Sequence, residues 1–121
     1  STSLDAMLAQ QKYSSDAIFL SEHQTDGYGR FDRQWHSPFG KNIYLTMLEV
    51  IDLDISKISG LSLSVAVSIA KVIEKMGLNP EIKWPNDIYI NDKKVCGIII
   101  NAFAELNGKV KVFIGIGLNV N

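Results

Sequence analysis

One stretch of this chain leaves little freedom. Over residues 58–76, Leu61, Val65, Ile69, Val72, Ile73 and Met76 fall on one helical face, with Ala66 and Ala70 beside them. Ser59 is placed to cap the start of this helix and Gly77 to stop it. The sequence on either side reads as β runs. A long amphipathic helix among strands must pack on a sheet. The expected class is therefore α+β, with a mixed, mostly antiparallel sheet of about five or six strands backed by two helices.

The strand-like runs are Ala17–Leu20, Asn42–Leu48, two short pieces around Glu81–Lys83 and Ile88–Ile90, Val95–Ala104, and Val110–Ile116. Pro85 lacks a ladder donor and holds Trp84 extended, which makes a corner after Lys83. Asn91 to Lys94 and Asn107-Gly108 read as hairpin turns. At the N-terminus, Leu4, Met7 and Leu8 suit one face of a short helix capped by Thr2 or Ser3. Tyr13 to Asp16 reads as a loop, and residues 52–57 as a polar connection.

The 121 residues suffice for one domain, 1–121, with one core. A net charge of -1 argues against a chain built to bind nucleic acid. Cys96 is the single cysteine, so the chain forms no internal disulfide and no thiolate cluster, and a reducing cytoplasm fits. Ser, Lys and Glu interrupt the apolar runs, so no segment reads as crossing a membrane. The start without methionine and the end just after a strand-like run suggest a domain lacking its C-terminal part.

Residues 27–40, Gly-Tyr-Gly-Arg-Phe-Asp-Arg-Gln-Trp-His-Ser-Pro-Phe-Gly, lie between two strand-like runs. Glycines allow close backbone approach, Arg30 and Arg33 offer forked donors for an anion, and the aromatics can cover an apolar ring. A loop of this kind can close over a small molecule with one apolar and one anionic part; an ordinary solvated loop is the plain alternative. Gln24, just before it, can donate and accept through one amide, which suits a cyclic urea or amide. Lys83 sits at the rigid corner, where its ammonium can be aimed. Gly115 and Gly117 strip side chains from one strand face, so a flat ligand can lie there, or another element can pack tightly. His23 and His36 read as structural.

Gln24, Arg30, Arg33, Lys83 and Asn119 supply cations and amides but no nucleophile. Neither a Gly-x-x-x-x-Gly-Lys phosphate loop nor a complete dinucleotide fingerprint is present. That set fits activation of a carboxylate by ATP, where the substrate itself attacks phosphorus and the protein positions and neutralises charge.

Five motifs in register make the chain resemble the catalytic domain of biotin protein ligases. They are the Gly27–Gly40 loop with its Trp and Ser-Pro-Phe-Gly, Lys-Trp-Pro-Asn-Asp at 83–87, Lys-x-x-Gly-Ile at 94–98, Gly-x-Gly-x-Asn at 115–119, and the Ser1-Thr2-Ser3 opening. The resemblance implies the fold shared with class II aminoacyl-tRNA synthetases. It also implies a two-step reaction, from biotin and MgATP to biotinyl-5′-AMP, then to a lysine of a biotin carboxyl carrier domain.

By position, the resemblance puts Ser1, Thr2, Ser3, Gln24, Tyr28, Gly29, Arg30, Lys83, Gly115 and Gly117 around biotin. It puts Arg30, Arg33, Trp35 and Asn119 toward the nucleotide, with Mg2+ near Asn119. Arg30 and Lys83 become the catalytic cations. Tyr28 replaces a usual arginine, Asp32 a glycine, Asn101 a glutamate and Ser3 an asparagine, which bears on adenylate retention. A non-catalytic biotin-binding relative and a lipoate or octanoate ligase are the alternatives. An open sheet edge also admits a homodimer.

Overall fold

The computed structural model describes residues 1–10, 16–52 and 54–120; the Tyr13–Ser15 part of the expected loop lies outside the described residues. The elements are α1 (Thr2–Ala9), β1 (Ala17–Ser21), β2 (Asn42–Ile51), α2 (Ile58–Lys75), β3 (Glu81–Lys83), β4 (Asp87–Ile90), β5 (Lys93–Ala104) and β6 (Val110–Asn119). The strands form one sheet in the order β1-β2-β6-β5-β4-β3. Every one of these neighbouring pairs is antiparallel. The hairpin signals hold for local reasons. Asn91 and Asp92 take positive φ in the two-residue turn from β4 to β5, and Gly108 does so between β5 and β6.

Alternation along β6 shows how the two helices divide the sheet. Val112 and Ile114 join Ile88, Cys96 and Ile98 in the core under Ala66 and Ile73 of α2. Phe113, between them, packs with Leu48 and Ala6 of α1 on the other face. Burying each large side chain of this kind contributes roughly 1.5–3 kcal/mol. Gly115 and Gly117 share the Phe113 face by the same period, so the sheet face beyond α1 is left bare of side chains along β6.

Both helices depart from the sequence expectation in detail. Ser1 is the N-cap of α1, its hydroxyl accepting from the Leu4 N–H. The buried face of α1 is Thr2, Ser3 and Ala6, whereas Leu4 and Leu8 are exposed. Thr2 and Ser3 find hydroxyl partners on β2, and Ala6 fits against Phe113, which a count of apolar residues cannot foresee. Ser59 does not cap α2. The chain enters through a tight turn at Ile55–Lys57, held by the Asp54 carboxylate accepting from the Ser56 N–H at 2.9 Å. Asp54 titrates below its ordinary value because of that backbone bond. Gly77 ends α2 at φ +83°, as its position suggested.

Residues 55–75 have a mean hydropathy of 1.4, enough by length and composition to cross a membrane, against the sequence expectation that no segment reads so. In the structure this segment lies along β3, β4 and β5. Ala66, Ala70 and Ile73 are buried there, while Val72 and Met76 face outward.

Candidate functional site

The bare part of the sheet lies beneath the Gly27–Gly40 segment. The Trp35 backbone N–H donates to the Gly27 carbonyl at 2.8 Å and the Gly29 backbone N–H to the Arg33 carbonyl at 2.7 Å, so the segment folds back on itself. Its tip holds Phe31 and Asp32, both non-glycine residues at positive φ. Between tip and sheet lies a cavity of about 310 Å³, lined on one side by Ser1, Thr2, Ser3 and Gln24 and on the other by Arg30, Arg33 and Lys94. Gly115 and Gly117 are part of its floor.

The first wall is a continuous set of hydrogen bonds. Gln24 Oε1 accepts from the Thr2 N–H at 2.9 Å and from Thr2 Oγ1 at 3.2 Å. Thr46 Oγ1 donates to Thr2 Oγ1 at 3.0 Å and lies 3.0 Å from Ser3 Oγ. At the other end Gln24 Nε2 donates to Ser37 Oγ at 2.9 Å, and Ser37 Oγ donates to the Trp35 carbonyl at 3.1 Å. Thr2, Ser3, Ser37 and Thr46 are all buried.

The floor explains the glycines. Gly97 and Gly117 are direct partners across β5 and β6, and the Trp35 ring lies on both. A Cβ on Gly117 would sit 2.6 Å from Trp35 Nε1, and one on Gly97 would sit 3.0 Å from the ring. A Cβ on Gly115 would meet Ser3 Oγ at 2.5 Å. The flat group on this backbone is thus the protein's own indole, and its buried Nε1 has no hydrogen-bond partner among the described residues.

The second wall is looser. Arg30 NH1 donates to Asn86 Oδ1 at 3.5 Å, and the guanidinium stands 4.9 Å from the Phe31 ring centroid. Asn86 itself is pinned, donating through Nδ2 to the Ile98 carbonyl at 2.6 Å. Lys94 Nζ pairs with Asp87 Oδ1 at 2.9 Å and lies 5.2 Å from the Trp35 ring centroid. Asn101 Nδ2 donates to Tyr28 OH at 3.5 Å, so two of the positions that depart from the ligase pattern touch each other.

Of the residues singled out in the sequence, Ser1, Thr2, Ser3, Gln24, Tyr28, Gly29, Arg30, Arg33, Trp35, Gly115 and Gly117 come together around this cavity. Lys83 does not line it. Its Nζ lies 4.2 Å from the Tyr89 ring centroid, on the edge strand β3, where Lys83 pairs in register with Asp87, a residue of the cavity lining. Asn119 is also outside, its Nδ2 donating to the Lys94 carbonyl at 3.3 Å. The lysine that does line the cavity is Lys94, which the sequence reading set in the hairpin turn and at the head of the Lys-x-x-Gly-Ile motif without a role, and its placement has a geometric reason. The register slips where Ile88 faces Cys96 and Tyr89 faces Lys94, so Val95 is an extra residue on β5. Val95 and Cys96 both pack toward the α2 core. Plain alternation would send Lys94 to that side as well; the bulge returns it to the cavity.

Asp87, Asn86, Thr46 and Ser37 were missed too. Asn86 and Asp87 stood in the Lys-Trp-Pro-Asn-Asp motif and Ser37 in Ser-Pro-Phe-Gly with no role of their own, and Thr46 and Ser37 gain meaning from partners far away in sequence. Cys96, fully buried behind Lys94, is inert. Burial, and then the Asp87 carboxylate, push its thiol up to about 12 against a smaller opposing effect of Lys94.

Amide and hydroxyl groups, cations and a glycine floor thus share one cavity of this α+β domain, an arrangement whose chemistry suits a small ligand with a hydrogen-bonding head and an anionic end. The family follows from similarity. The chain belongs to the Biotin/lipoate A/B protein ligase family, whose model matches residues 1–121. It is 37% identical over 108 residues to the bifunctional ligase/repressor BirA of Escherichia coli, covering 88% of this chain and 33% of that protein. It is 38% identical over 115 residues to BirA of Bacillus subtilis, covering 94% of this chain and 35% of that protein. The chain thus spans about a third of the length of these curated relatives. The biotin protein ligase from Aquifex aeolicus in complex with biotin and ATP superposes with a TM-score of 0.80 at 29% identity, over 100% of this chain and 49% of that one.

Proposed function

We propose that this chain is the catalytic core of a biotin protein ligase, which activates biotin with ATP and passes it to a lysine of a biotin carboxyl carrier domain. The observation that carries the reading is the pairing of the Gln24–Thr2–Ser3 wall with Arg30 and Lys94 across one cavity. The first wall suits the ureido ring of biotin, and the second suits a carboxylate and a phosphate. A biotin carboxylate oxygen attacks the α-phosphorus of ATP; the O–P bond forms as the bond to the bridging oxygen breaks, and pyrophosphate leaves. The amine of the acceptor lysine then attacks the acyl carbon, losing a proton, and AMP leaves. Lys94 and Arg30 offset the charge that builds on the phosphoryl oxygens in the first step, and the loop tip keeps water from the mixed anhydride.

No group of His, Cys, Asp and Glu that could hold a metal ion exists among the described residues. Asp87 lines the cavity already paired with Lys94. A Mg2+ ion would therefore be held chiefly by the nucleotide's phosphates, whose negative charge it would reduce. A lipoate or octanoate ligase is disfavoured, because those acyl groups have no polar head for the Gln24 wall. Neither nucleic acid nor membrane is needed by this chemistry.

Biotin-dependent pyrophosphate release with MgATP tests the reading. Lys94→Ala is expected to lower the rate by about a hundredfold or more, as loss of a charge aimed at the transition state does. Lys83→Ala, on the strand beside Asp87 of the lining, should lower it less than Lys94→Ala. Equal losses in both variants would overturn the assignment of Lys94, and release that ignores biotin would overturn the function.

A further inference from the structure

Gln24 has two chemically different ends, and the protein decides which faces which way. The Thr2 backbone N–H can only donate, so the amide oxygen must face it, at 2.9 Å. Every other proton on this wall follows from that single constraint. Thr2 Oγ1 gives its proton to the same oxygen, so it can only accept from Thr46. Thr46 Oγ1 has then spent its proton, so Ser3 must be the donor in the 3.0 Å contact between them. On the far side Ser37 gives its proton to the Trp35 carbonyl and accepts from Gln24 Nε2. The result is a one-way chain, Ser3 to Thr46 to Thr2 to Gln24 to Ser37 to the Trp35 carbonyl.

Neither Thr46 nor Ser37 lines the cavity. We infer that Thr46 and Ser37 are positioning residues which hold the two arms of this chain in place, and through it the pattern of donors and acceptors shown to the ligand. With the Ser3 and Thr2 protons directed inward, those hydroxyls present lone pairs to the cavity, and Gln24 presents its remaining N–H. That pattern selects a head group with N–H donors flanking a carbonyl acceptor, and rejects one with the polarity reversed. Thr46 is the pivot. Its hydroxyl is fully buried and bridges the hydroxyls of Ser3 and Thr2. The inference rests on the biotin reading above for the identity of the head group, but not for the direction of the chain.

Two measurements on the full chain test it. Without ligand, hydrogen exchange of the Gln24 side-chain amide, followed by NMR, should be slow in the wild type and in Thr46→Ser, and several-fold faster in Thr46→Val, which keeps the shape but lacks the hydroxyl. By calorimetry, biotin Kd should rise about tenfold in Thr46→Val and in Ser37→Ala, about 1.4 kcal/mol each, and stay within about twofold in Thr46→Ser. Because both variants act through one amide, the double variant should weaken binding less than the product of the two single effects. Thr46→Ser behaving like Thr46→Val would overturn the inference, as would unchanged exchange in Thr46→Val. A wild-type chain that binds no biotin would instead overturn the ligand reading, with the exchange result still deciding whether Thr46 holds the chain.

Discussion

The two walls of the cavity are held to very different degrees. On the Gln24 side the protein has met its own hydrogen-bonding needs among buried groups, at distances of 2.9 to 3.2 Å. On the Arg30 side the cations are exposed, and Arg30 reaches Asn86 at only 3.5 Å. A neutral ligand end can be met by a surface prepared in advance, because buried polar groups must pair before the ligand arrives. Cations can wait in solvent at little expense until an anion draws them in. On the proposed function, the difference teaches that recognition and chemistry rest on separate supports, the sheet and α1 for one and the loop tip with the β5 bulge for the other.

The largest expected effect is on the prepared wall. Gln24→Leu strands the Thr2 N–H and removes the donor to Ser37, and should weaken biotin binding on the order of a hundredfold in calorimetry. Next comes Arg30→Ala. It should leave biotin binding within about twofold while weakening nucleotide binding about tenfold, and only the nucleotide effect should shrink as salt is raised. An equal loss of biotin affinity would break the separation between the walls. The smallest effect is at Cys96, behind Lys94. Its thiol lies well above its ordinary value near 9, at about 12. The stability contributed by the neutral thiol is therefore complete below about pH 9 and is lost as the pH rises toward 12. Urea titrations should show a stability gap between wild type and Cys96→Ala that is constant below about pH 9 and narrows above it, and a thiol reagent at pH 8 should leave the folded chain unmodified.

Much of this was legible in the sequence, and the missing part has definite causes. Turn chemistry is local, so Asn91-Asp92, Gly77 and Gly108 announced the turns and the helix stop directly. The loop motif and the paired glycines announced a site. The buried face of α1 was not legible, because hydroxyls rather than leucines are buried there. Lys94 was hidden by one extra residue in β5, which no alternation rule contains. Thr46 and Ser37 were hidden because a hydroxyl's direction depends on partners brought close only by the fold.

The seat of Trp35 has a consequence for observing the molecule. The chain has two tryptophans, and Trp84 is 78% exposed on the corner after Lys83, while Trp35 lies on the glycine floor under the Lys94 ammonium. Trp84 emits as an indole bathed in water whatever occupies the cavity. Trp35 absorbs and emits from within it, with an indole N–H that has no partner among the described residues and a nearby positive charge tuning its excited state. The protein thus contains a built-in optical probe and its own reference, and the intrinsic fluorescence of Trp35 reads out events on the sheet without any label.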